Sequence, residues 1–198
     1  MLTALAAYLV GSIPTGYLFA RARGVDIRSV GSGNIGATNV FRVLGKTAGI
    51  LVLLIDAVKG FVPARFFLFG ATPETQEYHA IVAGLFAILG HNYTCWLRFK
   101  GGKGIATSAG VVLALVPLGL LITVGVWLVV FALSRYVSLA SVVAAAILPL
   151  AIGFTGQSTR MILLGIVLGA LAIYKHKSNI QRLLAGTEHR FGAKKEDR

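Results

Sequence analysis

Residues 98–104 combine glycine and lysine in a pattern that can bind phosphate. Lys103 lies among Gly101, Gly102 and Gly104, and glycine lets a backbone approach a ligand closely and offer its N–H groups. The residues that follow predict a helix start, whose first N–H groups attract anions. Because a glycine rather than Ser or Thr follows the lysine, the segment is not a Walker A loop. A flexible basic turn at a membrane surface is an equally good interpretation of this segment alone.

A second glycine-rich segment, residues 31–42, carries a serine and an arginine. Ser32 lies between two glycines, where its hydroxyl can come close to a substrate, and Arg42 follows ten residues later. A guanidinium group can hold two phosphate oxygens at once. The alternatives are turn formation for Ser32 and Asn34 and contact with lipid headgroups for Arg42. For the serine alone we favour turn formation.

The third segment, residues 176–188, places a histidine and an asparagine on one helix face. His176 and Asn179 are three residues apart, a spacing that can direct an imidazole and a carboxamide at one hydroxyl group. A capping or solvated histidine is the alternative. We expect Glu188 to have a structural role and to hold this segment through an arginine such as Arg182.

Asp56 and Lys59 are ionisable residues inside an apolar segment. Charges at that depth are costly unless they are paired, so we expect a structural ion pair. The sequence has no HExxH motif, no Cys/His ligand set and no His-x4-Asp acyltransferase motif. We therefore expect neither a metal nor a cofactor.

The composition is that of an integral membrane protein. Of 198 residues, 56% are hydrophobic and 13% are charged, whereas soluble domains carry about 25% charged residues. The net charge of +12 comes from loops between apolar segments, so membrane orientation and lipid headgroups explain it better than nucleic acid does. We expect one membrane domain, residues 1–198.

Apolar segments of nearly bilayer-spanning length predict an all-α polytopic fold. They are residues 2–20, 48–69, 78–97, 137–154 and 161–174, together with the long run 105–133, which Pro117 interrupts. Sixteen of the 19 Lys and Arg residues lie in segments 21–46, 96–103, 134–136 and 175–198. A turn at Pro117 places all four segments on the cytoplasmic face. We therefore predict seven transmembrane helices, with the N-terminus outside and the C-terminus in the cytoplasm.

Three motifs, GSGNIGATNVFR (31–42), GHNYTCWLRFKGGKGIAT (90–107) and HKSNIQRLLAGTE (176–188), make the chain resemble the bacterial acyl-phosphate:glycerol-3-phosphate acyltransferase family (PlsY). The resemblance covers nearly the whole chain. It implies transfer of a fatty acyl group from acyl phosphate to the sn-1 hydroxyl of glycerol 3-phosphate, giving lysophosphatidic acid and phosphate. This is the first acylation of phospholipid synthesis, at the cytoplasmic face of the bacterial inner membrane. The three motifs are then expected to meet at one cleft.

The resemblance also implies roles for individual residues. The catalytic residues are Ser32, Arg42, Lys103, His176 and Asn179. The substrate-binding residues are Gly31, Gly33, Asn34, Asn39, Gly101, Gly102, Gly104, Thr107 and Arg182. The resemblance implies structural support for Glu188, whereas the structural role expected for Asp56 and Lys59 follows from their position in an apolar segment. The expected partners are acyl phosphate, glycerol 3-phosphate, membrane lipids and the enzyme that produces acyl phosphate.

Two other function classes are compatible with the residues alone. A transporter for an organic phosphate would also need a cationic cytoplasmic vestibule, but the external side has no matching polar cluster. A lipid-binding scaffold would leave the motif glycines without a purpose. For the enzyme, His176 is the obvious candidate base, with a reference pKa of about 6.5. We favour a positioning role for His176 and Asn179, with the substrate phosphate or the leaving phosphate accepting the proton.

Overall fold

The computed structural model describes residues 1–192, and the regular structure in that range is helical. The helices, in chain order, are α1 (Leu2–Ser12), α2 (Thr15–Arg21), α3 (Ala37–Leu44), α4 (Lys46–Phe66), α5 (Gln76–Asn92), α6 (Ile105–Leu115), α7 (Pro117–Ser134), α8 (Val137–Gly153), α9 (Thr159–Lys175) and α10 (Lys177–Leu184). A short 3-10 helix, Cys95–Leu97, lies between α5 and α6. The all-α prediction is confirmed for this part of the chain.

The described residues form two compact units, one of residues 1–117 and a second that begins at Leu118. In the first unit α4 is the central helix and packs against α1, α2, α3, α5 and α6, while α1 also packs along α5. In the second unit α8 packs against α9, and α10 contacts both of these helices.

Glycines allow the helices of the first unit to pack at backbone distance. A Cβ atom on Gly11 of α1 would overlap the backbone carbonyl of Ala87 in α5. A Cβ on Gly110 of α6 would likewise overlap the carbonyl of Ala57 in α4. Small residues serve this purpose between helices in lipid, where apolar side chains gain nothing by leaving the solvent.

Four helical stretches of the described residues are long and apolar enough to cross a membrane. They are Leu2–Arg21, Lys46–Phe66, Gln76–Leu97 and Pro117–Ser134, and a fifth is formed if α9 and α10, which meet at a bend of 58°, are taken together. The first stretch is two helices, α1 and α2, because Pro14 interrupts it. These spans do not establish the predicted count of seven.

The predicted break in the long apolar run is confirmed. Helix α6 ends at Leu115, Val116 is not helical, and Pro117 begins α7. Proline suits the first position of a helix because its missing N–H would have no intrahelical partner there. At 1.5 Å per residue, the 11 residues of α6 extend about 16 Å, well short of the roughly 30 Å of a bilayer core.

Candidate active site

The glycine-lysine loop between α5 and α6 has an unusual backbone. Arg98 and Phe99 adopt left-handed conformations with φ of 54° and 61°, and Gly104 follows with φ of 79°. Left-handed backbone is strained for residues with a Cβ atom and easy for glycine. The surrounding structure therefore dictates the path of this loop.

Gly101 and Gly102 pack directly on the end of α5. The Gly102 N–H donates to the His91 carbonyl at 3.0 Å, and the Gly101 N–H donates to the Asn92 carbonyl at 3.2 Å. Contrary to the prediction, these two amides are therefore not available to a phosphate. The glycines are needed for a different reason, because a Cβ on Gly101 would overlap the His91 carbonyl and one on Gly102 would overlap the His91 ring.

Lys103 and the start of α6 are the remaining groups of this loop predicted to bind an anion. The predicted helix start is confirmed at Ile105, and no side chain caps this end of α6. The first N–H groups of a helix have no intrahelical acceptor, and the helix dipole adds positive potential there. Lys103 is partly buried and lies two residues before the helix. Thr107 is fully buried in the first turn, with its carbonyl against Gly60 of α4.

Asn39 organises the second glycine-rich loop. Its amide nitrogen donates to the carbonyls of Ile27, Val30 and Asn34 at 3.3, 3.1 and 2.9 Å. Its oxygen accepts the N–H of Ser32 at 2.9 Å. Asn39 is buried, and its side-chain amide makes all four of these contacts. It therefore shapes the loop that carries Ser32.

The remaining residues of this loop divide into turn formers and exposed groups. Asn34 accepts the Gly36 N–H at 2.9 Å, an Asx turn, as the alternative interpretation of this residue expects. Gly31 and Gly33 have φ of 60° and 69°. Ser32 is exposed, and so is Arg42 on the last turn of α3.

In the second unit His176 lies at the bend between α9 and α10 and is buried. Its Nδ1 atom is 2.8 Å from the Ala172 carbonyl. A carbonyl can only accept, so in the neutral ring the proton resides on Nδ1 and the lone pair on Nε2. The orientation of the imidazole is therefore set by its own helix.

Glu188 is buried and contacts two helices of the second unit, α8 and α10. Its Oε1 accepts from Asn179 Nδ2 of α10 at 2.7 Å and from Ser138 Oγ of α8 at 2.9 Å. Its Oε2 accepts from Arg182 Nε at 2.7 Å. The expected contact between Glu188 and Arg182 is present. Arg182 is also a predicted substrate ligand, and its guanidinium group lies on the Glu188 carboxylate. No motif indicated Ser138, which lies fifty residues away in the sequence.

Comparison with known proteins places this arrangement in a family. The sequence profile of the family "Glycerol-3-phosphate acyltransferase" matches residues 1–186. The chain belongs to the glycerol-3-phosphate acyltransferase family. It is 48% identical to the glycerol-3-phosphate acyltransferase of Geobacter sulfurreducens over 98% of this chain and 97% of that protein. The enzyme of Aquifex aeolicus is also 48% identical, over 93% of this chain and 95% of that protein.

Two solved structures have the same fold. A crystal structure of PlsY, an integral membrane glycerol 3-phosphate acyltransferase, in its glycerol 3-phosphate form is 46% identical with a TM-score of 0.90, over 96% of this chain and 94% of that one. The lysophosphatidic acid form is 45% identical with a TM-score of 0.88 and the same coverage. This chain is accordingly a PlsY-family integral membrane acyltransferase, and phospholipid synthesis follows from that activity.

In this family member, replacing Gly102 with alanine is expected to raise the KM for glycerol 3-phosphate. The added Cβ would overlap the His91 ring, so the loop must move and carry Lys103 with it. Displacements near 1 Å can cost about 100-fold in rate, and we expect at least a tenfold effect on kcat/KM. Gly125→Ala in α7 is the matched control, because a Cβ there meets nothing within 4 Å. Equal steady-state kinetics for the two variants would contradict the expectation.

The hydrogen bonds to the Glu188 carboxylate predict that the stability of the protein depends on pH. Burial raises the pKa of Glu188, but the hydrogen bonds from Asn179, Arg182 and Ser138 lower it more, so the net pKa lies below its usual 4.5. A lowered pKa means that the folded state binds the ionised form better. The resulting stability is complete at neutral pH and is lost as the pH falls below 4.5 through the folded-state pKa.

Glu188→Gln is therefore expected to lower Tm by several degrees at pH 7 and by much less near pH 3.5, since each kcal/mol shifts Tm by about 2–4 °C in a chain of this size. The measurement is thermal unfolding in detergent over that pH range. Glu77→Gln, at a partly exposed carboxylate outside this group of hydrogen bonds, serves as the control. A constant Tm difference at all pH values would exclude the ionisation of Glu188 as the source of the pH-dependent stability.

Proposed function

We propose that this acyltransferase uses acyl phosphate as its acyl donor and transfers the chain to the sn-1 hydroxyl of glycerol 3-phosphate. The products are lysophosphatidic acid and inorganic phosphate. The observation that carries the proposal is the position of Lys103 two residues before α6, whose N-terminus no side chain caps. This is a cationic site suited to a phosphate group. The glycerol 3-phosphate and lysophosphatidic acid forms of the related PlsY support the same acceptor and product.

The proposed reaction places modest demands on the protein. Acyl phosphate is a mixed anhydride with a good leaving group, so direct attack by the glycerol hydroxyl needs no covalent enzyme intermediate. Holding the hydroxyl and the carbonyl together can supply about 7–11 kcal/mol of the barrier at best. Cationic and amide donors then stabilise the developing oxyanion and the departing phosphate.

In the first unit we assign phosphate binding to Lys103, Arg42 and the N-terminal amides of α6. Arg42 and Ser32 are exposed side chains on a loop and helix that Asn39 holds in shape. Arginine suits a phosphate dianion because its planar fork donates two parallel hydrogen bonds. In this proposal Gly31, Gly33, Asn34 and Asn39 position these groups by fixing the shape of the loop.

In the second unit we assign orientation of the glycerol to His176 and Asn179. The Asn179 amide nitrogen is held by Glu188 at 2.7 Å, which sets the direction of its oxygen. The His176 ring is held by the Ala172 carbonyl. Two side chains with predetermined orientations can present a hydroxyl group for attack with little loss of freedom on binding.

A direct assay tests the activity. Purified protein is incubated with acyl phosphate and glycerol 3-phosphate, and products are followed by mass spectrometry with separation of the sn-1 and sn-2 isomers. Acyl-CoA serves as the alternative donor. Production of sn-1 lysophosphatidic acid only from acyl phosphate is the expected result. Turnover with acyl-CoA but not with acyl phosphate would refute the proposed donor.

We further propose seven transmembrane helices in the bacterial inner membrane, with the active site facing the cytoplasm. Positions 28, 100, 135 and 194 are then all cytoplasmic, although 194 lies outside the described residues. Cys95 is exposed, so single cysteines are introduced in a Cys95→Ser background. In intact cells an impermeant maleimide should label position 74 but none of these four. Labelling of position 135 or 194 from outside would exclude the seven-span topology.

A further inference from the structure

A buried ion pair lies in the middle of the first unit. Asp56 and Lys59 are 2% and 5% exposed, and Lys59 Nζ is 2.7 Å from Asp56 Oδ1. Burying two charges requires desolvation that their attraction scarcely offsets, and an apolar pair of similar volume is often as stable. Ionisable residues within membrane segments are therefore usually present for function. The surroundings of this pair indicate which function.

The pair contacts two other elements of the unit. Lys59 Nζ donates to the carbonyl of Ile13 at 2.7 Å, at the break between α1 and α2 where Pro14 removes a backbone donor. On the other side, His91 of α5 lies with its Nδ1 3.8 Å from Asp56 Oδ1. His91 is itself only 5% exposed. The charges on α4 thus connect the break in the first span to the end of α5.

His91 connects this pair to the glycine loop. Its carbonyl accepts the Gly102 N–H at 3.0 Å, and a Cβ atom on Gly102 would overlap its Nε2. One edge of the imidazole therefore faces Asp56, and the other faces the backbone of the residue that precedes Lys103. The ring determines how closely the loop approaches α5.

The same segment of α4 also supports the helix that follows the loop. Gly60, next to Lys59, leaves room for the Thr107 carbonyl of α6, and Gly110 packs against the Ala57 carbonyl. Both ends of the loop, His91 before it and the first turns of α6 after it, therefore rest on residues 56–60. A shift of this segment would move both supports of Lys103.

We propose that Asp56, Lys59 and His91 form a positioning cluster, with His91 as the residue that sets the place of Lys103 for phosphate binding. The inference rests on the proposed role of Lys103 in binding the phosphate of glycerol 3-phosphate. None of the three residues touches substrate. They act through the Gly101–Gly102 backbone.

The test compares His91→Gln with His79→Gln, the same substitution at the partly exposed start of α5. We expect His91→Gln to raise the KM for glycerol 3-phosphate roughly tenfold with kcat within about threefold, because binding rather than chemistry is disturbed. His79→Gln should match the wild type. In a Lys103→Ala background, His91→Gln should change kcat/KM by less than about twofold, since both substitutions remove the same contact.

The possible results separate this inference from the proposed function. A wild-type KM for glycerol 3-phosphate in His91→Gln overturns the positioning role. So do effects of His91→Gln and Lys103→Ala on kcat/KM that add fully in the double variant. Either result leaves the proposed phosphate-binding role of the loop intact. An unaffected Lys103→Ala enzyme overturns the loop's function itself.

If His91→Gln does not accumulate, Asp56→Leu with Lys59→Met replaces it. This double variant removes both charges together and leaves none unpaired. A stable protein with the same roughly tenfold increase in KM supports the cluster, and a wild-type KM overturns it.

Discussion

Lys103→Ala is expected to lower kcat/KM for glycerol 3-phosphate by about 10- to 150-fold, since a hydrogen bond to a charged group is worth about 1.5–3 kcal/mol. The loss should fall mainly on KM if the contact is equal in the ground and transition states. Lys103→Arg keeps the charge but changes the shape of the donor, so it should restore only part of the activity. Steady-state kinetics with both substrates varied measure the effect.

Lys100→Ala is the matched control for this experiment. Lys100 lies in the same loop, is exposed and is three residues from Lys103, so its removal tests the loss of one basic charge alone. We expect less than about a threefold change in kcat/KM, because solvent and salt screen an exposed charge. Equal effects of the two variants, or normal kinetics of a folded Lys103→Ala protein, would reduce the loop to a basic turn at the membrane surface.

His176→Ala is expected to lower kcat about 100-fold, whereas His176→Gln should retain measurable turnover, because misplacing a reacting group costs up to about that factor. The physical reason is that the imidazole is held through Nδ1 by the Ala172 carbonyl at 2.8 Å and presents Nε2. A glutamine amide has similar reach and keeps a hydrogen-bonding group there. In this scheme a substrate phosphate accepts the hydroxyl proton.

The opposite assignment makes His176 the general base and predicts different kinetics. General base catalysis typically contributes about 10²–10⁴-fold. A loss of that size in His176→Gln, with normal binding of glycerol 3-phosphate, would favour the base. The pH–rate profile provides the second criterion, since removal of a base abolishes the acidic limb of kcat. Retention of that limb in the glutamine variant would support positioning.

Features that depend on neighbouring residues could be predicted from the sequence. The membrane class followed from uninterrupted apolar segments, and the end of α6 followed from Pro117, because proline limits the backbone wherever it occurs. The contacts of Lys59 with Asp56 and of Arg182 with Glu188 join residues close in the chain. Asp56 and Lys59 are three residues apart in α4 and so lie on one helix face, which means that no tertiary structure is needed to anticipate their pairing.

Other features depended on which groups of neighbouring loops and helices meet, which a local pattern does not specify. The sequence suggested that Gly101 and Gly102 expose amides to phosphate, whereas packing against α5 uses both amides. Asn39 stays a predicted substrate ligand, and the structure adds four side-chain contacts through which it shapes the loop. A glycine or an asparagine looks the same in the sequence whether it binds substrate or packs a loop. Only the residues around it in the folded structure distinguish the two roles.

The sequence by itself determined the family, the membrane class and the segments that carry the chemistry, because these depend on composition, motif order and short-range spacing. Only the tertiary structure decided that Ser138 supports Glu188 and that His91 lies between Asp56 and Gly102. The contacts of Ser138 with Glu188 and of His91 with Asp56 join elements separated by tens of residues. They exist because helix packing brings particular faces together, and no local pattern in the chain records which faces will meet.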